Sequence, residues 1–143
     1  MRKLDLEKYG EDLKQALSLA ARLEVENNEK FRRQDVDGKD YIVCDLSSID
    51  VDDLVAKGTE RELMDFLAER DYELTKILCI LMWVGRDSTF QENDGTYDYS
   101  KIRESCDRNG WATDKLGQID YLIGKMKLFT CFQKGLQKLN IHL

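Results

Sequence analysis

Leu74-Thr75-Lys76-Ile77-Leu78-Cys79-Ile80-Leu81-Met82-Trp83-Val84-Gly85-Arg86 decides the fold. Leu74, Ile77, Leu78, Leu81 and Met82 recur at helical spacing and form one stripe, while Ile80, Trp83 and Val84 fall on other faces. A helix that is apolar nearly all round belongs at the centre of its fold. Asp71 stands where a side chain caps a first turn, Gly85 reads as the stop, and Arg86 places a cation at the negative end of the helix dipole. The unbroken apolar run, Ile77 to Val84, is far shorter than the roughly 20 residues a membrane helix needs, so it reads as core.

Working outward, Leu6, Tyr9, Leu13, Ala16, Leu17, Ala20 and Leu23 predict a long amphipathic helix opening at Asp5 and running to about Glu29, with Gly10 a mild weakness. Beyond it the period is lost. Asp37-Gly38, between Asp35-Val36 and Tyr41-Ile42-Val43, reads as a turn, either in a short β-hairpin near residues 35 to 43 or in an irregular loop. A short acidic piece from Asp50 would end at Gly58 in a left-handed cap, and Thr59-Glu60-Arg61-Glu62 has the form of a capping box ahead of Leu63, Phe66 and Leu67.

After the central helix, residues 87 to 98 are polar, with Asp94-Gly95 as a turn, and read as a surface loop. Helices are expected from about Asp98 to Arg108, stopped by Asn109-Gly110, from about Thr113 to Ile123, and from about Lys125 to Asn140. The chain has no proline to break them. The expectation is an all-α domain over residues 1 to 143, five or six helices packed around the Leu74 to Val84 segment. With 42% hydrophobic and 35% charged residues, it fits neither a disordered chain nor a membrane protein. Met1-Arg2-Lys3 has no apolar stretch behind it, so a cytoplasmic place is expected. Cys44, Cys79, Cys106 and Cys131 form no C-x-x-C pair and are expected as free thiols.

Leu81-Met82-Trp83-Val84-Gly85-Arg86-Asp87, then Tyr121-Leu122-Ile123-Gly124 followed by Gly135-Leu136, resemble an uncharacterised bacterial family, one of the domains of unknown function. The resemblance covers roughly residues 60 to 140. It implies a helical fold and no particular activity, and this chain departs from the pattern in its longer polar stretch at 87 to 115.

The chemistry of a familiar active site is sparse. His142 is the only histidine and stands beside the end of the sequence, which removes Ser-His and Cys-His pairs and most zinc sites. Asp35, Asp37, Gly38 and Asp40 resemble pieces of a calcium loop. With Gly38 in sixth place, however, Arg33 and Cys44 occupy the first and twelfth, so the essential acids are missing. No phosphate-binding glycine pattern is present. No cofactor, metal or catalytic residue is expected. Arg86 and Asp87 could hold a polar ligand beside Trp83, although a salt bridge at a helix end accounts for them as well.

Charge carries the functional expectation. The net charge is -6, but residues 1 to 98 hold 14 Lys+Arg against 24 Asp+Glu, whereas residues 99 to 143 hold 8 against 4. Asp45, Asp50, Asp52 and Asp53 lie in one stretch without a base, and Asp87, Glu92 and Asp94 in another. These seven are the candidate partner-binding residues. Clustered carboxylates steer onto basic surfaces and partly imitate a phosphate backbone. The expectation is therefore a non-catalytic protein-binding module engaging the basic surface of a protein or nucleoprotein complex. Its most specific form is an inhibitor of a nucleic-acid-handling complex, and in size, charge and lack of catalytic residues the chain resembles small acidic phage proteins that block CRISPR effectors. The alternative is a nucleic-acid-binding regulator using Lys115, Lys125, Lys127, Lys134 and Lys138 near Tyr121, with the helices about Asn109-Gly110-Trp111-Ala112 as a helix-turn-helix. Asp114 and Asp120 on the would-be recognition helix weigh against it. A hydrolase or transferase using a carboxylate pair or Cys106 ranks third.

Overall fold

The computed structural model describes residues 4–36, 58–111 and 114–143, the side chains of 28–36 excepted. Among these, six helices and no strands are found: α1 (Leu6–Val36), α2 (Gly58–Glu69), α3 (Tyr72–Arg86), α4 (Tyr99–Asn109), α5 (Lys115–Ile123) and α6 (Leu128–Lys138). The expected all-α bundle is what forms. From Leu74 to Gly85 only Lys76 and Trp83 escape full burial, and α1, α2, α5 and α6 all pack against this helix. On α1 the expected stripe from Tyr9 to Leu23 is buried, while Leu6 at its start is exposed. Among the described residues no helix is long and apolar enough to cross a membrane.

Two boundaries differ from expectation. Helix α1 continues past Glu29 to Val36, taking in Asp35 and Val36, which the sequence placed in a hairpin arm. The segment lacks a clean apolar period, but Lys30, Arg32, Arg33 and Gln34 are good helix formers and no glycine interrupts it. The remainder of the expected hairpin, and the acidic piece after it, lie outside the described residues. Helix α6 begins at Leu128, because Lys127 adopts left-handed backbone angles (φ 54°, ψ 40°) that delay the helix expected from Lys125.

Helix starts are satisfied partly in cis and partly across the bundle. Asp98 accepts the amides of Ser100 and Lys101 (3.0 and 3.4 Å), and Asp114 that of Gly117 (2.9 Å). Glu24 of α1 reaches the start of α6, accepting the Thr130 amide at 3.2 Å and its hydroxyl at 2.8 Å. The capping box expected at Thr59 and Glu62 is replaced by a staple between helices. Helix α2 already starts at Gly58, and the buried Thr59 hydroxyl donates to Glu26 (2.6 Å), while Arg22 donates to both Thr59 (3.4 Å) and Glu62 (3.1 Å). Asp71 does occupy the N-cap position of α3, yet its side chain makes no capping bond and instead accepts the Tyr9 hydroxyl at 2.9 Å.

A close approach of α3 and α6 gives Gly85 a task other than the helix stop expected of it. Gly85 is not a stop; it lies inside α3, where a methyl group would fall on the Cys131 carbonyl and come within 2.8 Å of the Gly135 amide. Gly135, on α6, faces the Leu81 carbonyl in the same way. The pair lets two backbones touch where any side chain would hold them apart.

Cys79, Cys106 and Cys131 are free thiols, as expected; Cys44 lies outside the described residues. Burial pushes the Cys79 thiol up to about 12. In the native protein Cys79 is expected to resist iodoacetamide at about pH 8 and to react only through global unfolding. Alkylation of Cys79 as fast as that of Cys106 would contradict this burial.

Candidate binding cleft

The end of α3 leads into a loop that folds back on itself. Asp87 accepts the Thr89 amide at 3.0 Å, and the Gln91 amide donates to the Ser88 carbonyl at 3.1 Å, bringing Phe90 back toward the helix it has just left. On the other side, α4 ends at Gly110, whose φ of 82° suits glycine and redirects the chain so that Trp111 turns inward. Helix α5 then presents Tyr121. Between these segments lies a cleft of about 480 Å³, with Trp83, Phe90, Cys106, Trp111, Tyr121 and the Arg86–Asp87 pair on its walls.

The aromatic wall is ordered by stacking and by hydrogen bonds. Trp83 and Trp111 stack with centroids 5.7 Å apart and planes 20° apart, and Tyr121 lies 6.3 Å from Trp83 at 54°. The Trp83 indole donates to the Tyr121 hydroxyl at 3.0 Å. The Trp111 indole donates to Asp107, also at 3.0 Å. Asp107 is itself held by Arg103 Nε at 3.0 Å, and Arg103 closes a two-armed ion pair on Glu73, its Nη2 meeting Oε2 at 2.8 Å. Arg103 is fully buried. Burial alone opposes its charge, but the carboxylates of Glu73 and Asp107 outweigh that and raise its pKa. Beside it stands the buried Tyr99 hydroxyl, which burial pushes up to about 12 against the opposing pull of Arg103.

Cations border the same cleft. Arg86 Nε contacts Asp87 at 3.3 Å, with the arginine side chain 48% exposed. Lys76 Nζ stands 5.4 Å from the Trp111 centroid and Lys125 Nζ 4.1 Å from that of Tyr121. Lys138 crosses from α6 to donate to the carbonyls of Val84 (2.9 Å) and Asp87 (3.2 Å), satisfying the end of α3.

Of the seven acids singled out in the sequence, Asp45, Asp50, Asp52 and Asp53 lie outside the described residues. The other three share the loop after α3, where each has a local task. Asp87 holds the Thr89 turn and Arg86. Asp94 accepts the Thr96 amide (3.1 Å) and hydroxyl (2.6 Å), and Glu92 pairs with Lys101 at 3.2 Å. Hydrogen bonds from Thr89 and Thr96 hold Asp87 and Asp94 below the usual carboxylate range. Only Asp87 reaches the cleft. In the supposed helix-turn-helix, Lys115 donates to the Ala68 carbonyl at 2.7 Å and so ties α5 to α2. Among the described residues no group of three His, Cys, Asp or Glu side chains is placed to hold a metal ion.

The cleft gathers Trp83, Arg86 and Asp87 from one quoted motif and Tyr121 from the other, while the glycine of the first meets Gly135. Trp111 and Arg103 belong to no candidate ligand site in the sequence. The available signal was the Arg103, Asp107, Trp111 series at four-residue steps, in which the first two are helical neighbours. No protein-family model, curated protein or solved structure matches this chain.

Proposed function

We propose that this chain is a non-catalytic binding module whose recognition surface is the aromatic cleft between α3, α4 and α5. One observation carries this reading. Both tryptophans of the chain converge on one cleft and remain partly exposed there, beside a half-exposed arginine. Core packing alone would bury them. Tryptophan, tyrosine and arginine grouped at a concavity are the side chains that dominate recognition surfaces, and about 480 Å³ falls within the range of ligand sites.

A second reading rests on the charge split of the chain, in which acids of the first 98 residues, Asp50, Asp52 and Asp53 among them, engage a basic surface as an inhibitor would. One experiment separates the two. Tagged protein is used for affinity capture from its host, with and without nuclease, and the bound protein, nucleic acid and small molecules are identified. Trp83→Ala is expected to weaken retention at least tenfold, with helical content retained by circular dichroism, whereas the triple reversal of Asp50, Asp52 and Asp53 to lysine leaves it unchanged. Retention lost in the triple reversal but kept in Trp83→Ala would overturn the cleft reading in favour of the acidic surface.

A further inference from the structure

We infer that the cleft takes a planar aromatic ring carrying an anionic group, the chemistry of a nucleoside monophosphate, either free or as one unit of a single strand. This inference rests on the cleft being the recognition surface. The ring follows from the shape of the wall. Trp83 and Trp111 are stacked 5.7 Å apart, too close to admit a ring between them, and both line the cleft, so a ligand meets the pair together as one platform. Such a platform pairs with another flat π-system, and base stacking on aromatic side chains contributes about 1 to 3 kcal/mol per base. The amide of Asn109 lines the same cleft and supplies the hydrogen-bonding chemistry that a base edge requires.

The anion follows from the pairing of charges. On this chain of net charge -6, Arg22, Arg61, Arg70 and Lys101 all stand within ion-pair distance of a carboxylate. Among the described residues some cations lack such a partner, and three of these stand around the cleft. Lys76, Lys125 and Lys138 each touch a residue of its wall, through the Trp111 ring, the Tyr121 ring and the Asp87 carbonyl, and none of the three has a carboxylate within ion-pair distance among the described residues. Among the described residues Asp87 is the one acid on the wall, and its oxygens are occupied by the Thr89 amide and by Arg86. Arg86 meets it through Nε and also bonds to Tyr121, yet its side chain stays 48% exposed, within reach of a second anion. An apolar side chain of a protein partner would use the platform but would give the Lys76 and Lys125 ammonium groups no counter-charge.

Because Trp83 and Trp111 are the chain's two tryptophans and both border the cleft, its tryptophan emission reports on this site alone. The test is a fluorescence titration of the full chain with adenosine monophosphate, adenosine, inorganic phosphate and a short oligo(dA). The monophosphate is expected to quench emission and to bind about tenfold tighter than adenosine, with Arg86→Gln and Lys125→Gln each removing most of that advantage. Lys125→Gln alters an exposed-edge contact and leaves the core untouched, so it remains informative if Arg86→Gln disturbs the helix end. Oligo(dA) binding tighter than the monophosphate, with a steep salt dependence, assigns the unit to a strand; equal or weaker binding assigns it to the free nucleotide. Adenosine binding as well as the monophosphate would overturn the anionic requirement, and phosphate binding alone would overturn the ring. Absence of quenching by every probe would overturn the ligand class, while the Trp83→Ala capture separately decides whether the cleft is the recognition surface.

Discussion

Gly135→Ala is expected to lower stability by about 3 kcal/mol, a fall in Tm of roughly 10 °C for a chain of this size. In an ordinary helix interior the same change would help, since alanine forms helix better than glycine by about 1 kcal/mol. Here the new methyl group meets the Leu81 carbonyl of α3, and a backbone atom cannot step aside as a flexible side chain does. Either α6 lifts from α3, uncovering the most apolar helix, or the variant does not fold. Gly10→Ala is the matched control. Nothing lies within 4 Å of a methyl group there, so a gain of about 0.5 to 1 kcal/mol is expected. Differential scanning calorimetry of the two variants should move in opposite directions; a Gly135→Ala protein as stable as the parent would show that the helices separate at no cost.

The second large effect belongs to Arg103. Arg103→Met keeps most of the side-chain volume but leaves Glu73 and Asp107 facing each other without their shared cation. The expected loss is about 3 to 5 kcal/mol in urea unfolding at neutral pH. Neutralising the partners as well, in Arg103→Met with Glu73→Gln and Asp107→Asn, is expected to recover much of it, because the cost lies in stranded charge and not in missing volume. The single variant should also change tryptophan emission, since Asp107 holds the Trp111 indole. A single variant unchanged in both stability and emission would mean that Arg103 neither supports the fold nor sets the cleft wall.

The sequence made the helices legible because their signals are local. The Leu74 to Val84 period, the Tyr9 to Leu23 stripe and the Asn109-Gly110 stop each lie within a few turns of one helix. What could not be read were the tasks assigned across the bundle. Thr59 and Glu62 have the spacing of a capping box, but Arg22 and Glu26 on α1 take both side chains, and no window around Thr59 contains that competition. Gly85 looks like a terminator because its neighbour at Gly135 is visible only after folding. Arg103 sits among Glu104, Asp107 and Arg108 and reads as part of a solvated face; its burial follows from Glu73 on a different helix. The cleft was half legible. Trp83, Arg86 and Asp87 are near neighbours in sequence and read together as a polar ligand site, whereas Trp111 and Tyr121 join them through turns whose directions no composition reveals.

The order of the elements along the chain gives the glycine contact a further meaning during synthesis. Helix α3 emerges from the ribosome before α6, with α4 and α5 between them, and it is α6 that covers the Leu81 to Gly85 surface. At roughly 5 to 20 residues per second, that surface stays uncovered for seconds in every newly made molecule. Translation that pauses after α5 prolongs the exposure and gives chaperones a window that closes only when Gly135 has left the exit tunnel.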